Sequence, residues 1–402
     1  MQPPSLPDFP WDSLVPVKAL AAAHPDGLVD LSVGTPIDPT PTVVQAALSA
    51  AADSPGYPLT VGALAVREAI VAWFERRRRV VGLTPAAVLP TIGSKELVAW
   101  LPTLLGLGPG DLVGIPAVAY PTYDIGARLA RATPVVVDGL TAFGPLTPSR
   151  TPKLLWINSP GNPTGAVLPV EHLAKVVAWA RQHGIVVASD ECYAELDWRP
   201  PDPTRTGSRP GGTTPSILDP DVCGGSHEGL LAVYSLSKQS NLAGYRAAFV
   251  GGDPQLVSAI AEVRRHAGMM MPGPVQAAMV AALADDEHVA DQKLRYGVRR
   301  EQLVDALTAA GLCIEHSDAG LYLWVTRDED CRQTVRWFAE RGILVAPGSF
   351  YGEAGRRHVR MALTATDERI AAAVGRLSPI SPPGALAASG NVRDTATACS
   401  PA

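Results

Sequence analysis

The sequence predicts an α/β fold in which a mainly parallel sheet is covered by helices, followed by a smaller α+β unit. Three observations carry this expectation. Short apolar runs alternate with helical stretches from residue 88 to residue 250. The runs are apolar throughout, as strands buried on both faces are, where a half-exposed sheet would alternate. The 402 residues are long enough for a sizeable core and a second unit.

Residues 1–36 are rich in proline and poor in helical runs, and they read as an extended arm ending in a short strand at 28–33. Pro41 opens a helix that runs to residue 51, and a second helix spans 63–79. That helix ends in four consecutive arginines, Arg76 to Arg79. In a chain of formal net charge -5 they are expected to be a solvated helix end complementing the dipole, not a nucleic-acid patch. The alternating part gives strands at 88–92, 112–115, 134–137, 154–157, 185–189, 231–234 and 247–250, with helices at 95–105, 123–132 and 170–183. Helices at 254–266, 274–284 and 289–309 lead into the smaller unit, which has strands at 313–316, 321–325, 343–346 and 358–362 and helices at 331–341 and 368–377. The expected division is an arm over 1–36 that belongs with the small domain, a large domain over 37–284 and a small C-terminal domain over 285–378. Residues 202–229 read as an irregular insert and 379–402 as a disordered tail.

Composition narrows the function. With 47% hydrophobic and 18% charged residues the chain is expected to be soluble and cytoplasmic, with no general pull towards nucleic acid. No apolar stretch has the length of a membrane span, and the N-terminal sequence lacks the regions of a signal peptide. Five scattered cysteines without a CxxC pair suggest reduced thiols and no structural zinc. Gly106, Gly108, Gly110 and Gly114 imitate a dinucleotide fingerprint, but they follow a helix and precede a strand, the reverse of the required order, so a helix stop and turn is expected.

Ligands of such sheets sit beyond the carboxyl ends of the strands, which directs attention to the residues there. Lys238, in the stretch YSLSKQSNLAGYR, follows an apolar run. Burial lowers a lysine pKa and yields the neutral amine that attacks a carbonyl, although a surface loop lysine fits this stretch equally well by itself. Gly93, Ser94 and Lys95 follow a strand and open a helix, which makes either a phosphate cradle or an ordinary serine cap. A dense turn, 158–165, follows a third strand, and Asp190, Glu191, Cys192 and Tyr193 follow a wholly apolar fourth.

Taken in order, the motifs AYPTY, NPTG, SDECY, SLSK with Arg246, and RMAL resemble the fold-type I, class I and II aminotransferases over about residues 10–378. The resemblance implies the pyridoxal-phosphate-dependent transferase fold, pyridoxal 5'-phosphate as cofactor, amino acid and keto acid substrates, and a homodimer. It implies that Lys238 forms the Schiff base and shuttles the proton, that Asp190 pairs with the pyridine nitrogen, and that Tyr193 and Asn162 bond the phenolate oxygen. Tyr120 would stack on the ring, with Tyr123 close by. Gly93, Ser94, the Lys95 backbone, Ser235 and Arg246 would hold the phosphate, and Tyr57 of a second copy would reach it. Arg360 would bind the substrate α-carboxylate, with Gly34 and Asn162 beside it.

Within the family the chain resembles N-succinyldiaminopimelate aminotransferases, through LPDFPWDSL, TPIDPTP and SLSKQSNLAGYRAAFVGGDP. That similarity implies amino transfer between N-succinyldiaminopimelate and 2-oxoglutarate in lysine and diaminopimelate biosynthesis, with Arg264 or Arg265 as a candidate contact for the distal acid. Two other readings are an aspartate, alanine or kynurenine aminotransferase and a carbon–sulfur lyase. A third, a non-catalytic aminotransferase-like ligand sensor, would need a helix-turn-helix that the sequence does not offer.

Overall fold

In the computed structural model, residues 6–137, 139, 147, 150–200 and 214–377 are described. Residues 202–213 of the expected insert, and the expected tail, lie outside them. The strands in chain order are β1 (Val29–Asp30), β2 (Val88–Ile92), β3 (Leu112–Pro116), β4 (Thr133–Val137), β5 (Leu154–Asn158), β6 (Val186–Asp190), β7 (Leu230–Ser235), β8 (Ala247–Gly252), β9 (Cys313–Glu315), β10 (Tyr322–Thr326), β11 (Ile343–Leu344), β12 (Ala346–Pro347) and β13 (His358–Ala362).

Seven of them form one sheet in the order β2-β8-β7-β6-β5-β3-β4. Only β8 runs antiparallel to its neighbours, and the remaining pairs are parallel. The continuous apolar strands follow from cover on both faces. Alternate residues Leu155, Val187, Ala232, Tyr234 and Phe249 pack with Ile70, Trp73, Phe74, Val176 and Met279 of the helices Leu64–Arg78, Val170–Gln182 and Gly273–Ala284. The intervening residues Leu154, Trp156, Ala188, Leu231 and Val250 pack with Leu97, Leu101, Tyr123 and Ile260 of the helices Ser94–Leu104, Thr122–Leu129 and Pro254–Ala267. β5, β6 and β7 therefore end side by side, with Asn158 opposite Asp190 and Asp190 opposite Val233.

A four-stranded antiparallel sheet, β12-β13-β10-β9, and the parallel pair β1-β11 share a separate core. Leu14, Val29 and Leu31 join Phe338, Ile343 and Val359 in it, so the first residues described pack with the last. This separation of cores supports the division into 1–36 with 285–378 and 37–284, which we propose for the chain.

The structure corrects several expectations. The arm is not extended: a 3-10 turn, Pro10–Leu14, runs into the helix Val15–Ala22. Pro10 and Pro16 sit in first-turn positions, where no intrahelical N–H is lost, so proline density there does not exclude a helix. The strand at 343–346 is two strands in different sheets, broken at Val345. Among the described residues Cys192, Cys223 and Cys331 are free thiols, and all three are buried. The helix end at Arg76 to Arg79 is only partly solvated: Arg77 and Arg78 are enclosed, Arg76 and Arg79 remain partly exposed, and all four are ion-paired. Arg76 pairs with Asp286 at 3.0 Å, Arg77 with Glu195, Arg78 with Glu191 at 2.9 Å and Arg79 with Asp221 at 2.9 Å. The carboxylates that follow β6 pack back on this helix end, and a count of net charge carries no sign of that.

Candidate active site

The site is built where β5, β6 and β7 end. Asp190, the last residue of β6, is buried and accepts hydrogen bonds from Tyr123 Oη at 2.9 Å and Cys192 N at 3.2 Å. Burial raises its pKa above the ordinary carboxylate value, and those two bonds offset only part of the rise. Asn158 at the end of β5 holds the neighbouring turn: its amide donates to the carbonyls of Asp190 and Pro160, and its Oδ1 accepts from Asn162 N at 2.8 Å.

Past β7 the chain turns into a one-turn helix, Leu236–Gln239, whose N-cap Ser235 accepts from Ser237 N. This turn carries Lys238 inward. Most of the lysine is enclosed, burial lowers its pKa, and its Nζ donates to the carbonyl of Gly34. Arg360, on β13 and 4% exposed, reaches in from the smaller sheet. It donates to Asn162 Oδ1 at 3.0 Å and to the Ser32 carbonyl at 2.8 Å, while its Nε is buried with no partner. Tyr193 Oη lies 3.2 Å from Tyr322 Oη, and burial raises the Tyr193 phenol well above its usual value.

A second group lies at the helix Ser94–Leu104. Gly93 is its N-cap at φ 80°, and a side chain there would run into the Arg246 guanidinium, so glycine is required twice over. Arg246 is thus held across the helix N-terminus, where the first N–H groups have no partner within the helix. Cys192, next to Asp190 and bonded to it through its backbone N–H, is buried, which pushes its thiol well above the ordinary value.

Lys238, Asp190, Asn162, Tyr193, Arg360 and Gly34 are therefore brought together, and Gly93, Ser94, Ser235 and Arg246 gather around the start of this helix and the end of β7. Tyr120 remains half-exposed beside them, edge-on to Tyr123, with its phenol pushed up to about 12 by burial. Tyr123 is committed to Asp190 and stacks on Trp156. The Lys95 side chain points away to the Phe9 ring, leaving only its backbone at the cradle. Tyr57 is 97% exposed and reaches none of these residues within its own chain. Arg264 is ruled out as a distal contact, because it is buried against Glu96 at 2.7 Å and the Met269 carbonyl; Arg265 bonds Glu262 on an exposed face. Sequence reasoning missed Tyr322, which stands among Gly34, Tyr193 and Arg360. The only available signal was its place at the start of a strand pairing with RMAL.

The model of the family "Aminotransferase class I and II" matches residues 26–377. The chain belongs to that family. This aminotransferase is 59% identical to the probable aminotransferase Rv1178 of Mycobacterium tuberculosis, over 93% of this chain and 86% of that one. It is 56% identical to the 4-dedimethylamino-4-oxo-anhydrotetracycline transaminase OxyQ of Streptomyces rimosus, over 93% of this chain and 99% of that one. A solved structure of a probable N-succinyldiaminopimelate aminotransferase from Thermus thermophilus superimposes with a TM-score of 0.78 at 30% identity, covering 92% of this chain and 99% of that one. The aminotransferase has the fold of its family and uses the family's cofactor, pyridoxal 5'-phosphate. The residues present fit that group: a lysine with a lowered pKa, a buried acid, and a glycine-floored helix N-terminus under an arginine. Among the described residues no helix is long and apolar enough to cross a membrane, and no cluster of His, Cys, Asp or Glu could hold a metal ion.

Proposed function

We propose that this aminotransferase moves an amino group between L-glutamate and an N-succinylated 2-amino-6-oxopimelate, in the direction of diaminopimelate and lysine. The observation that carries an α-amino acid substrate is Arg360, buried beside Lys238 with an unpartnered Nε. Such a donor is costly unless an acceptor arrives, and a carboxylate takes two parallel guanidinium bonds. The succinylated substrate is supported by the likeness to the Thermus thermophilus structure.

Pyridoxal phosphate supplies an electrophilic carbon and an electron sink. The residues divide the remaining work. Lys238 would hold the cofactor, and its amine, with a pKa lowered by burial, would serve as the base that moves the substrate α-proton. Asp190 would face the ring nitrogen, where a cation would offset the burial that otherwise favours its neutral acid. Tyr193 and Asn162 would donate to the ring oxygen, Tyr120 would cover the ring face, and Gly93, Ser94, the Lys95 backbone, Ser235 and Arg246 would hold the phosphate. Arg360 would orient the α-carboxylate, and Gly34, lacking a side chain, lets the Tyr322 phenol sit against it. We assign exposed Tyr57 to the phosphate of a neighbouring copy, which makes the active form a homodimer.

The likeness to OxyQ supports a second reading, in which the amino acceptor is a ketone on a larger ring system. Assaying the purified protein with glutamate and either the succinylated keto acid or a polycyclic ketone separates the two. Turnover of the first acceptor is expected. Turnover restricted to the second, or to aspartate, alanine or kynurenine, would overturn the proposed substrate.

A further inference from the structure

We propose that Tyr322 is a positioning residue of the transamination site, acting on Arg360 through its ring and on Tyr193 through its hydroxyl. The inference rests on the roles given above to those two residues. β10 and β13 are antiparallel, with Trp324 opposite Arg360 and Tyr322 opposite Ala362. Tyr322 is thus the diagonal neighbour of Arg360 on one face, and a small residue opposite lets its ring lean across. The Arg360 guanidinium carbon lies 3.9 Å from the Tyr322 ring centroid and 5.0 Å from that of Tyr351.

These rings close off directions from which water would reach the guanidinium, and a desolvated cation gains more from an aromatic face than an exposed one. With Asn162 and Ser32 taking two N–H groups, the fork is fixed with Nε still to be satisfied. The other end of Tyr322 is as closely set. Its hydroxyl is 3.2 Å from that of Tyr193, and a Cβ on Gly34 would fall inside the phenol. Gly34 in turn offers its carbonyl to Lys238. Against the upward push of burial, the charges of Arg360 and Lys238 hold the Tyr322 phenol below its usual value. The proposal assigns the donor role in the 3.2 Å hydroxyl pair to Tyr322, which leaves the Tyr193 proton free to point onward.

Two variants of the holoenzyme separate ring from hydroxyl. Tyr322→Phe is expected to raise the apparent pKa of the bound cofactor's visible absorption band, because Tyr193 loses its donor, with half-saturation by glutamate unchanged. Tyr322→Leu is expected to show the same spectral shift and to raise half-saturation by glutamate about tenfold. A wild-type titration in Tyr322→Phe overturns the proposal by itself, even if the leucine variant does not fold. Unchanged glutamate saturation in a folded Tyr322→Leu does the same. Arg360→Lys and Tyr193→Phe run alongside: if they leave saturation and spectrum unchanged, the site roles fall and this inference with them. If they act as expected while both Tyr322 variants behave as wild type, this inference alone falls.

Discussion

Arg78 and Glu191 form an ion pair 2.9 Å long in which both side chains are 1% exposed, one residue beyond Asp190. Glu191 also accepts from Ser216 Oγ and Ile217 N, so its charge is satisfied from three sides. Removing one member strands the other in the interior, which costs about 3–5 kcal/mol, whereas replacing both with apolar residues costs far less. Urea unfolding of cofactor-saturated Arg78→Met should show that loss, and Arg78→Met combined with Glu191→Met should recover most of it. Additive losses would mean that the pair is not a unit.

Asp190 gives a pH signature in cofactor-free protein. Burial places its folded pKa above the unfolded value. The stability it contributes is therefore complete below the unfolded value and is lost as pH rises through the folded one. Relative to Asp190→Asn, wild-type apoprotein is expected to lose melting temperature as pH is raised from about 4 to 8. A difference independent of pH would contradict this.

Gly93→Ala and Gly106→Ala make a matched pair. Both positions have left-handed backbone, at φ 80° and 77°, but only at Gly93 does a Cβ meet Arg246; at Gly106 nothing lies within 4 Å. Each variant is expected to lose about 1 kcal/mol from strain. Only Gly93→Ala should also weaken cofactor binding, by about tenfold or more, measured by equilibrium titration of apoprotein. Equal cofactor affinity in the two would remove Gly93 from the phosphate site.

Arg360→Lys keeps the charge but loses the planar fork. Half-saturation by glutamate is expected to rise about 100-fold, while cofactor content stays near wild type. A comparable rise for an amine without a carboxylate would show that the effect is not carboxylate recognition.

The homodimer is tested by sedimentation of the active protein. A strictly monomeric active form would contradict the role given to Tyr57.

The sheet was legible because buried parallel strands leave long apolar words such as LLAVYS, and every strand end that carries Asn158, Asp190 or Lys238 was placed within a residue or two. Contacts between distant carboxylates and arginines left no such mark. Arg78 and Glu191 are 113 positions apart, and nothing local distinguishes a buried arginine from a solvated one. Tyr322 was hidden similarly. In a strand it reads as one more aromatic core residue, and only its register with β13 turns it towards Arg360.

The Gly34 carbonyl, the Lys238 amine and the Arg360 guanidinium meet although they are spread along most of the chain. During synthesis the strands that bear Asp190 and Lys238 emerge well before β13 does. Arg360 is therefore the last of these groups to be synthesised, and its bond to the Ser32 carbonyl joins the late part of the chain to its beginning.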